Sequence, residues 1–303
     1  MIEKLREQKI SKALLDQALE LRNKFSLNDK YAYRVPSEPI IYLGKEVWEQ
    51  AITAILQGSN ILLLGPKSTG KNLLASNLAQ LFNRPSWNVS LNINTDEAQL
   101  LGVDTFINNQ VTFRDGPISS ACKEGGFAIL DEINMAKNEA LSVLHSTLDD
   151  RRIIDIPGYD LVKLHEATRF IATMNYGYLG TRELNEALVS RFVVIELEQI
   201  SEDQLALLIK EMFPKIKKLA LELFIKFFKD IELKVSNSEM SSRALDLRGL
   251  LSALKSIDIG LDLRSALRIS ISNKTFDSFE KELIEDLIKI NFPKEFTRSD
   301  IFE

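Results

Sequence analysis

The sequence predicts an α/β fold: a three-layer αβα domain on a parallel sheet, followed by a small all-α domain. Three observations carry this. Short apolar runs at 61–64, 127–130, 170–174 and 192–197, with an alternating segment at 87–93, read as strands. Helical patterns lie between several of them, and strands alternating with helices imply a parallel sheet. After Glu198 the strand signal stops, and only helical patterns follow.

In chain order, Ile10, Leu14, Leu15, Ala18, Leu19 and Leu21 fall near helical spacing, so 2–25 reads as one amphipathic helix. The polar, Pro-containing stretch 26–39 reads as a linker or surface wrap. Residues 44–56 read as a second helix, ended by Gly58-Ser59-Asn60. The run 61–64, bounded by turn residues, has the form of a buried parallel strand. A glycine loop follows, then a helix over about 71–82 with Leu73, Leu74, Leu78 and Leu81 as its apolar positions. Hairpin patterns appear at 105–113, around a polar turn, and at 152–164, centred on Pro157-Gly158. Helices are expected at 201–213, 216–233, 242–256, 263–271 and 276–290, with Pro214 breaking the first pair. The expected division is 1–39 as N-terminal helix and linker, 40–200 as the α/β domain and 201–303 as the helical domain.

Composition excludes several classes. Hydrophobic residues at 45% and charged residues at 27% fit a soluble globular chain. A net charge of -5 weighs against nucleic acid as the main partner. Cys122 is the only cysteine, so no intrachain disulfide forms, and His145 and His165 give no zinc-site spacing. A reducing, cytoplasmic location is the default. No secretory signal is visible in 1–25, and no apolar run approaches the length of about 18 residues that spans a membrane. The two histidines read as packing or surface residues, and the stripe Leu221, Leu223, Phe224, Phe227 and Phe228 reads as core.

The chemistry sits in two segments. Gly65-Pro66-Lys67-Ser68-Thr69-Gly70-Lys71-Asn72 follows a strand and opens a helix. Backbone N–H groups there can point at one anion, and the helix dipole adds to the attraction. Lys71 can reach the β- and γ-phosphates of a nucleotide. With Leu73 in the first helical turn, these residues form the candidate nucleotide-binding segment. Asn72 stands where the usual loop has a Ser or Thr whose hydroxyl binds Mg²⁺. An amide oxygen also binds hard cations. Two outcomes are open: the Asn72 oxygen binds Mg²⁺ with altered affinity, or it points elsewhere and water fills the site. Slow hydrolysis, or hydrolysis selective for the metal supplied, is the expected consequence. The second segment, Phe127-Ala128-Ile129-Leu130-Asp131-Glu132, ends an apolar strand in two carboxylates, which are costly there unless they meet a cation or water. Asp131 suits Mg²⁺, and Glu132 suits polarising an attacking water.

Further motifs complete a pattern. Gly65-Pro66 and Gly70-Lys71, Leu130-Asp131-Glu132-Ile133-Asn134, Ile171-Ala172-Thr173-Met174-Asn175, and Leu184, Ala187-Leu188, Arg191-Phe192 occur in this order. Together they resemble an AAA+ ATPase, and more narrowly the MoxR-type, dynein-related branch, over roughly residues 40–260. The resemblance implies a P-loop NTPase domain with a helical lid, ATP and Mg²⁺ as cofactors, and a homo-oligomeric ring, most simply a hexamer. Asn175 matches the first sensor, between nucleotide and attacking water. Arg191 matches the arginine finger, which reaches the neighbouring subunit's γ-phosphate and contributes about 10³–10⁵ in rate. Arg182 is a second candidate interface cation. Arg243 resembles the second sensor, with Ser241 or Ser242 expected to cap its helix and place it in the first turn. The two hairpins fit family insertions that face the central channel or a partner.

The leading expectation is a ring-forming ATPase that remodels a client protein. The resemblance points to a partner with a von Willebrand factor A-type metal-binding domain. A second expectation is a nucleotide-gated scaffold that hydrolyses poorly because of Asn72. A third is the motor subunit of a restriction-like nucleic-acid system, against which the acidic balance weighs.

Overall fold

In a computed structural model the described residues are 1–156, 158–175 and 183–303. Pro157, at the centre of the expected second hairpin, lies outside them, as do the Tyr176-Gly177 turn and Arg182. The chain divides into two compact units, one of Met1–Pro66 with Gly70–Glu198 and one of Lys67–Thr69 with Gln199–Glu303.

Nine strands occur among the described residues of the first unit: β1 (Asn60–Leu64), β2 (Ser86–Ser90), β3 (Gly102–Ile107), β4 (Gln110–Asp115), β5 (Phe127–Asp131), β6 (Ile153–Ile154), β7 (Val162–Lys163), β8 (Arg169–Met174) and β9 (Phe192–Glu196). Five form one sheet in the order β2-β5-β8-β1-β9, with every pairing parallel. The α/β fold class is therefore as the apolar runs predicted. Successive residues of each strand face opposite layers. Ile61, Leu63, Phe127, Ile129, Ile171 and Ile195 join one core, with helices Lys45–Leu56 and Lys71–Leu81. Leu62, Ala128, Leu130, Phe170, Ala172 and Phe192 join the other, with helix Pro117–Lys123. A strand buried on both faces needs no polar alternation, which explains why these runs are continuously apolar.

The N-terminal region corrects the expectation of one helix over 2–25. Two helices form, Ile2–Glu7 and Lys12–Lys24. Lys9 takes a left-handed backbone at φ 60, and the Ser11 N–H leaves the helical ladder to donate to Glu49 Oε1 at 2.8 Å. The break turns Leu5, Ile10, Leu15 and Ala18 all into the first core. The stretch 26–39 buries no residue and carries the 3₁₀ turn Asp29–Arg34, so it wraps the surface. Arg34 stacks over the Trp87 ring at 4.9 Å.

Both expected hairpins are present. β3 and β4 pair around Asn108 and Asn109, whose φ values of 52 and 61 are those of a tight primed turn. β6 and β7 pair over two residues each.

The second unit is helical: Glu202–Met212, Lys218–Ser236, Leu247–Ile259, Leu263–Ser270, Ser278–Asn291 and the short Arg298–Ile301. Its core gathers Leu221, Phe224, Phe227 and Phe228, with the Phe292 ring tilted against Phe224 at a centroid distance of 4.9 Å. The expected helix over 242–256 starts later. Ser241 donates from its N–H (2.6 Å) and Oγ (3.1 Å) to the Glu280 carboxylate, so its hydroxyl caps no helix. Helix Leu247–Ile259 begins after Asp246, and Arg243 lies in the exposed turn before it. No helix among the described residues is long and apolar enough to cross a membrane.

Candidate functional site

The parallel register builds the site. Leu64 pairs with Met174, and Leu130 pairs with Ala172, so β1, β8 and β5 end side by side. The residue following each strand end then projects from one edge of the sheet, the edge where open α/β sheets bind ligands. Gly65 donates its N–H to the Met174 carbonyl at 3.3 Å, which ties the phosphate loop to β8.

The loop runs through Pro66, Lys67, Ser68 and Thr69, with Ser68 at φ 67 and Gly70 at φ 85. Gly70 needs to be glycine on two counts. Its φ is left-handed, and an added Cβ would lie 3.1 Å from the Tyr42 ring. It also opens helix Lys71–Leu81 without any side-chain cap, so the first-turn N–H groups, where Asn72 and Leu73 lie, are left for an anion or water. Lys71 is 7% exposed, and its Nζ donates to the carbonyls of Gly65 (2.9 Å) and Pro66 (2.6 Å). Burial pushes its pKa down to about 8, against the opposing pull of Asp131 and Glu132.

The carboxylates lie one strand over. Asp131 accepts from the Thr173 hydroxyl on Oδ1 at 2.5 Å and from Asn72 Nδ2 on Oδ2 at 2.9 Å. A carboxylate only accepts, so the amide of Asn72 must turn its nitrogen to Asp131 and its oxygen away. Glu132 sits in a left-handed conformation, φ 55 and ψ 49, which is unusual for a residue with a side chain. Its N–H donates to Thr173 Oγ1 at 3.1 Å, and its Oε1 accepts from Asn175 Nδ2 at 3.4 Å. The buried Asn134 donates to the Asn175 carbonyl at 2.9 Å. Lys71, Asn72, Asp131, Glu132 and Asn175 thus converge.

Arg191 does not join them. It precedes β9, whose register with β1 runs from Asn60↔Phe192 to Leu64↔Glu196, so it lies at the opposite edge of the sheet. Five residues at about 3.3 Å each separate the edges by about 16 Å. There its Nε donates to the His145 carbonyl at 3.3 Å, its guanidinium also bonds the Ala187 carbonyl, and Asp149 lies 3.9 Å away. Arg191, Arg152, Asp149, Asp150 and Asn60 line a cleft of about 520 Å³. Arg243 belongs to the second unit.

Thr173 lies within a motif that assigns it no role, yet its hydroxyl joins both carboxylate residues. Tyr42 and Asn77 stand outside every motif. Their signal is polar type at a buried place: Asn77 is fully buried, and it bonds the Tyr42 N–H at 2.7 Å and the Ile40 carbonyl at 3.1 Å. His165 is a packing residue, accepting the Ala167 N–H on Nδ1 and meeting the Phe25 ring edge-on.

The donor set fits a nucleoside triphosphate. It holds an uncapped helix N-terminus, a buried lysine bonded to carbonyls and a strand-end carboxylate. Among the described residues no group of three or more His, Cys, Asp or Glu could hold a metal unaided. A cation here would therefore share its coordination with phosphate oxygens, as Mg²⁺ does.

Comparison with known proteins agrees. Residues 60–192 match the AAA domain (dynein-related subfamily). An uncharacterized protein of Staphylococcus epidermidis is 34% identical over 252 residues, covering 81% of this chain and 95% of that one. Another, from Staphylococcus aureus, is 36% identical over 239 residues, covering 77% and 90%. A solved RuvB mutant from Thermotoga maritima shares the fold, with a TM-score of 0.50 at 16% identity over 81% of this chain and 75% of that one.

Proposed function

The chain belongs to the dynein-related AAA subfamily, and from that premise we propose that it is an ATPase whose complete site is shared between subunits. The observation that carries the reading is the meeting of Lys71, Asp131, Glu132 and Asn175 at the ends of three adjacent parallel strands. In this reading 40–200 is the nucleotide-binding domain and 201–303 the lid, with Arg243 as the second sensor.

Each residue has a task. The N–H groups of Gly65 to Leu73 cradle the phosphates, and charged Lys71 exchanges its loop carbonyls for phosphate oxygens. Asp131 and the outward-turned Asn72 oxygen would hold Mg²⁺, which would supply charge neutralisation to the phosphates. The Asn72 amide resembles a Ser or Thr hydroxyl in one respect, donating to Asp131 on one side and presenting a lone pair on the other. Glu132 takes the proton of the attacking water, and Asn175 orients it. Arg191, at the far edge, has no route to its own nucleotide and completes a neighbour's.

The test is ATP turnover on purified protein, with mass measured with and without ATP. Glu132→Gln is expected to keep ATP binding and lose about 10²–10⁴ in rate. A protein that binds no ATP, or whose turnover ignores Glu132→Gln, ends the hydrolase reading. Tight binding without turnover supports the second reading, a nucleotide-gated scaffold. The bond from Thr173 to Asp131 Oδ1 favours that alternative, since it occupies an oxygen that a cation would need. A hexameric ring in the cytoplasm and a client, first a von Willebrand factor A-type protein, extend the proposal by family analogy.

A further inference from the structure

The helix Ile2–Glu7 precedes every motif used so far. Gln8, the residue that ends it, carries a polar side chain to the nucleotide-binding core. Both ends of the Gln8 carboxamide are engaged there: Nε2 donates to the Tyr42 carbonyl at 2.9 Å, and Oε1 accepts the Gly44 N–H at 3.0 Å. The Tyr42 carbonyl also accepts from Trp48 Nε1 at 2.9 Å, and the Tyr42 N–H donates to Asn77 Oδ1 at 2.7 Å. Asn77 lies on the helix that the phosphate loop opens. Side chains from three helical elements therefore fix both backbone groups of Tyr42.

Fixing that backbone places the ring. Its Cε1 lies 2.9 Å from where a Cβ on Gly44 would stand, and its Cδ2 lies 3.1 Å from where one on Gly70 would stand. The ring is thus packed between two glycines, one of them the φ 85 residue that turns the phosphate loop into its helix. A glycine at that point is free to take many conformations, and ordering it costs binding energy. A ring wedged against it removes that freedom before ligand arrives.

We propose that Gln8 is a positioning residue for the phosphate loop: through Tyr42 it holds Gly70 in the conformation that binds a nucleoside triphosphate. The N-terminal helix is then a brace of the nucleotide site. This rests on the nucleotide reading above. Gln8 is only half-buried and meets Tyr42 and Gly44 through two hydrogen bonds, whereas Leu5 in the helix before it is fully buried in the core. Substituting Gln8 therefore separates the brace from the packing.

The test uses the full chain and a fluorescent ATP analogue. Gln8→Ala removes both bonds. Gln8→Glu keeps the acceptor for Gly44 and sets an oxygen against the Tyr42 carbonyl. Each is expected to weaken analogue binding by about tenfold, with KM for ATP rising in step and kcat at saturation within about twofold. Tyr42→Ala is expected to weaken it at least as much. The double Gln8→Ala, Tyr42→Ala variant is expected to be no weaker than Tyr42→Ala alone, because both act through one ring. Additive losses, wild-type affinity in the Gln8 variants, or a fall in melting temperature without a rise in Kd overturn the proposal. Lys71→Ala is the control. If it binds as the wild type does, or if the wild type does not bind, the nucleotide reading falls and the brace with it. If the control loses binding and the Gln8 variants do not, the brace alone falls.

Discussion

At the residue scale, Lys71 carries a pH signature. Burial holds its pKa at about 8, below the ordinary lysine value of about 10.4. Below about 8 the amine is charged in folded and unfolded chains alike, and its desolvation cost is fully present. Between about 8 and 10.4 the folded chain loses its proton first, so stability without nucleotide rises with pH. If Lys71 binds phosphate as proposed, affinity for phosphate moves the other way, because the charged amine is the binding form. The apparent Kd for ATP is expected to rise about tenfold from pH 7 to pH 9, and Lys71→Arg to flatten the profile. A titration at constant ionic strength reads this directly, and a flat wild-type curve contradicts it. Asn72 gives a second prediction. Asn72→Thr restores a hydroxyl on the metal side and is expected to raise turnover several-fold in Mg²⁺ and narrow the gap between Mg²⁺ and Mn²⁺. Equal rates in both proteins and both metals count against it. The candidate loop and carboxylates were legible because their residue types state their chemistry at a strand end. Thr173 was not, because its partner Asp131 lies 42 positions away and only the strand register joins them. Gln8 and Tyr42, 34 apart, were hidden by their distance along the chain, which a side-chain hydrogen bond closes.

At the element scale, the central strands were legible because burial on both faces writes them as continuous apolar runs. The break at Lys9 was not, because one left-handed residue leaves the apolar spacing on either side nearly intact. The helix expected from Ser242 failed differently. Its capping signal was genuine in type, but Glu280, 39 residues on, holds the Ser241 hydroxyl and N–H. Where no such competitor exists the signal holds. Ser201 and Gln204 form a reciprocal capping box on helix Glu202–Met212. Ser201→Ala is expected to cost about 1 kcal/mol, read by denaturant unfolding. Phe224→Ala, on the fully buried stripe of Lys218–Ser236, is expected to cost about 3–5 kcal/mol. Amide exchange should locate that loss in the second unit, and unchanged protection there contradicts the placement of its core.

At the scale of the whole molecule, the two edges of one sheet carry the proposal that activity requires neighbours. The phosphate loop and carboxylates stand at the strand ends, and Arg191 stands where the strands begin. A residue about 16 Å away across a packed sheet would have no access to a nucleotide bound at the strand ends of its own subunit. Within one subunit it is held by the carbonyls of His145 and Ala187 and by Asp149. If Arg191 completes a neighbour's site, Arg191→Ala binds ATP normally and turns it over about 10³-fold more slowly or worse. Glu132→Gln fails on the other side of the same interface. Each variant is inactive alone, yet a mixture is not, because an intact Arg191 from the Glu132→Gln subunit meets an intact Glu132 in the Arg191→Ala subunit. Random pairing makes such an interface in about a quarter of neighbours at equal mixing, as independent probabilities of one half multiply. Partial recovery of ATPase in the mixture is therefore expected, growing with total protein concentration. Two variants that stay inactive together, under conditions where they co-assemble, would show that Arg191 serves no neighbour's nucleotide.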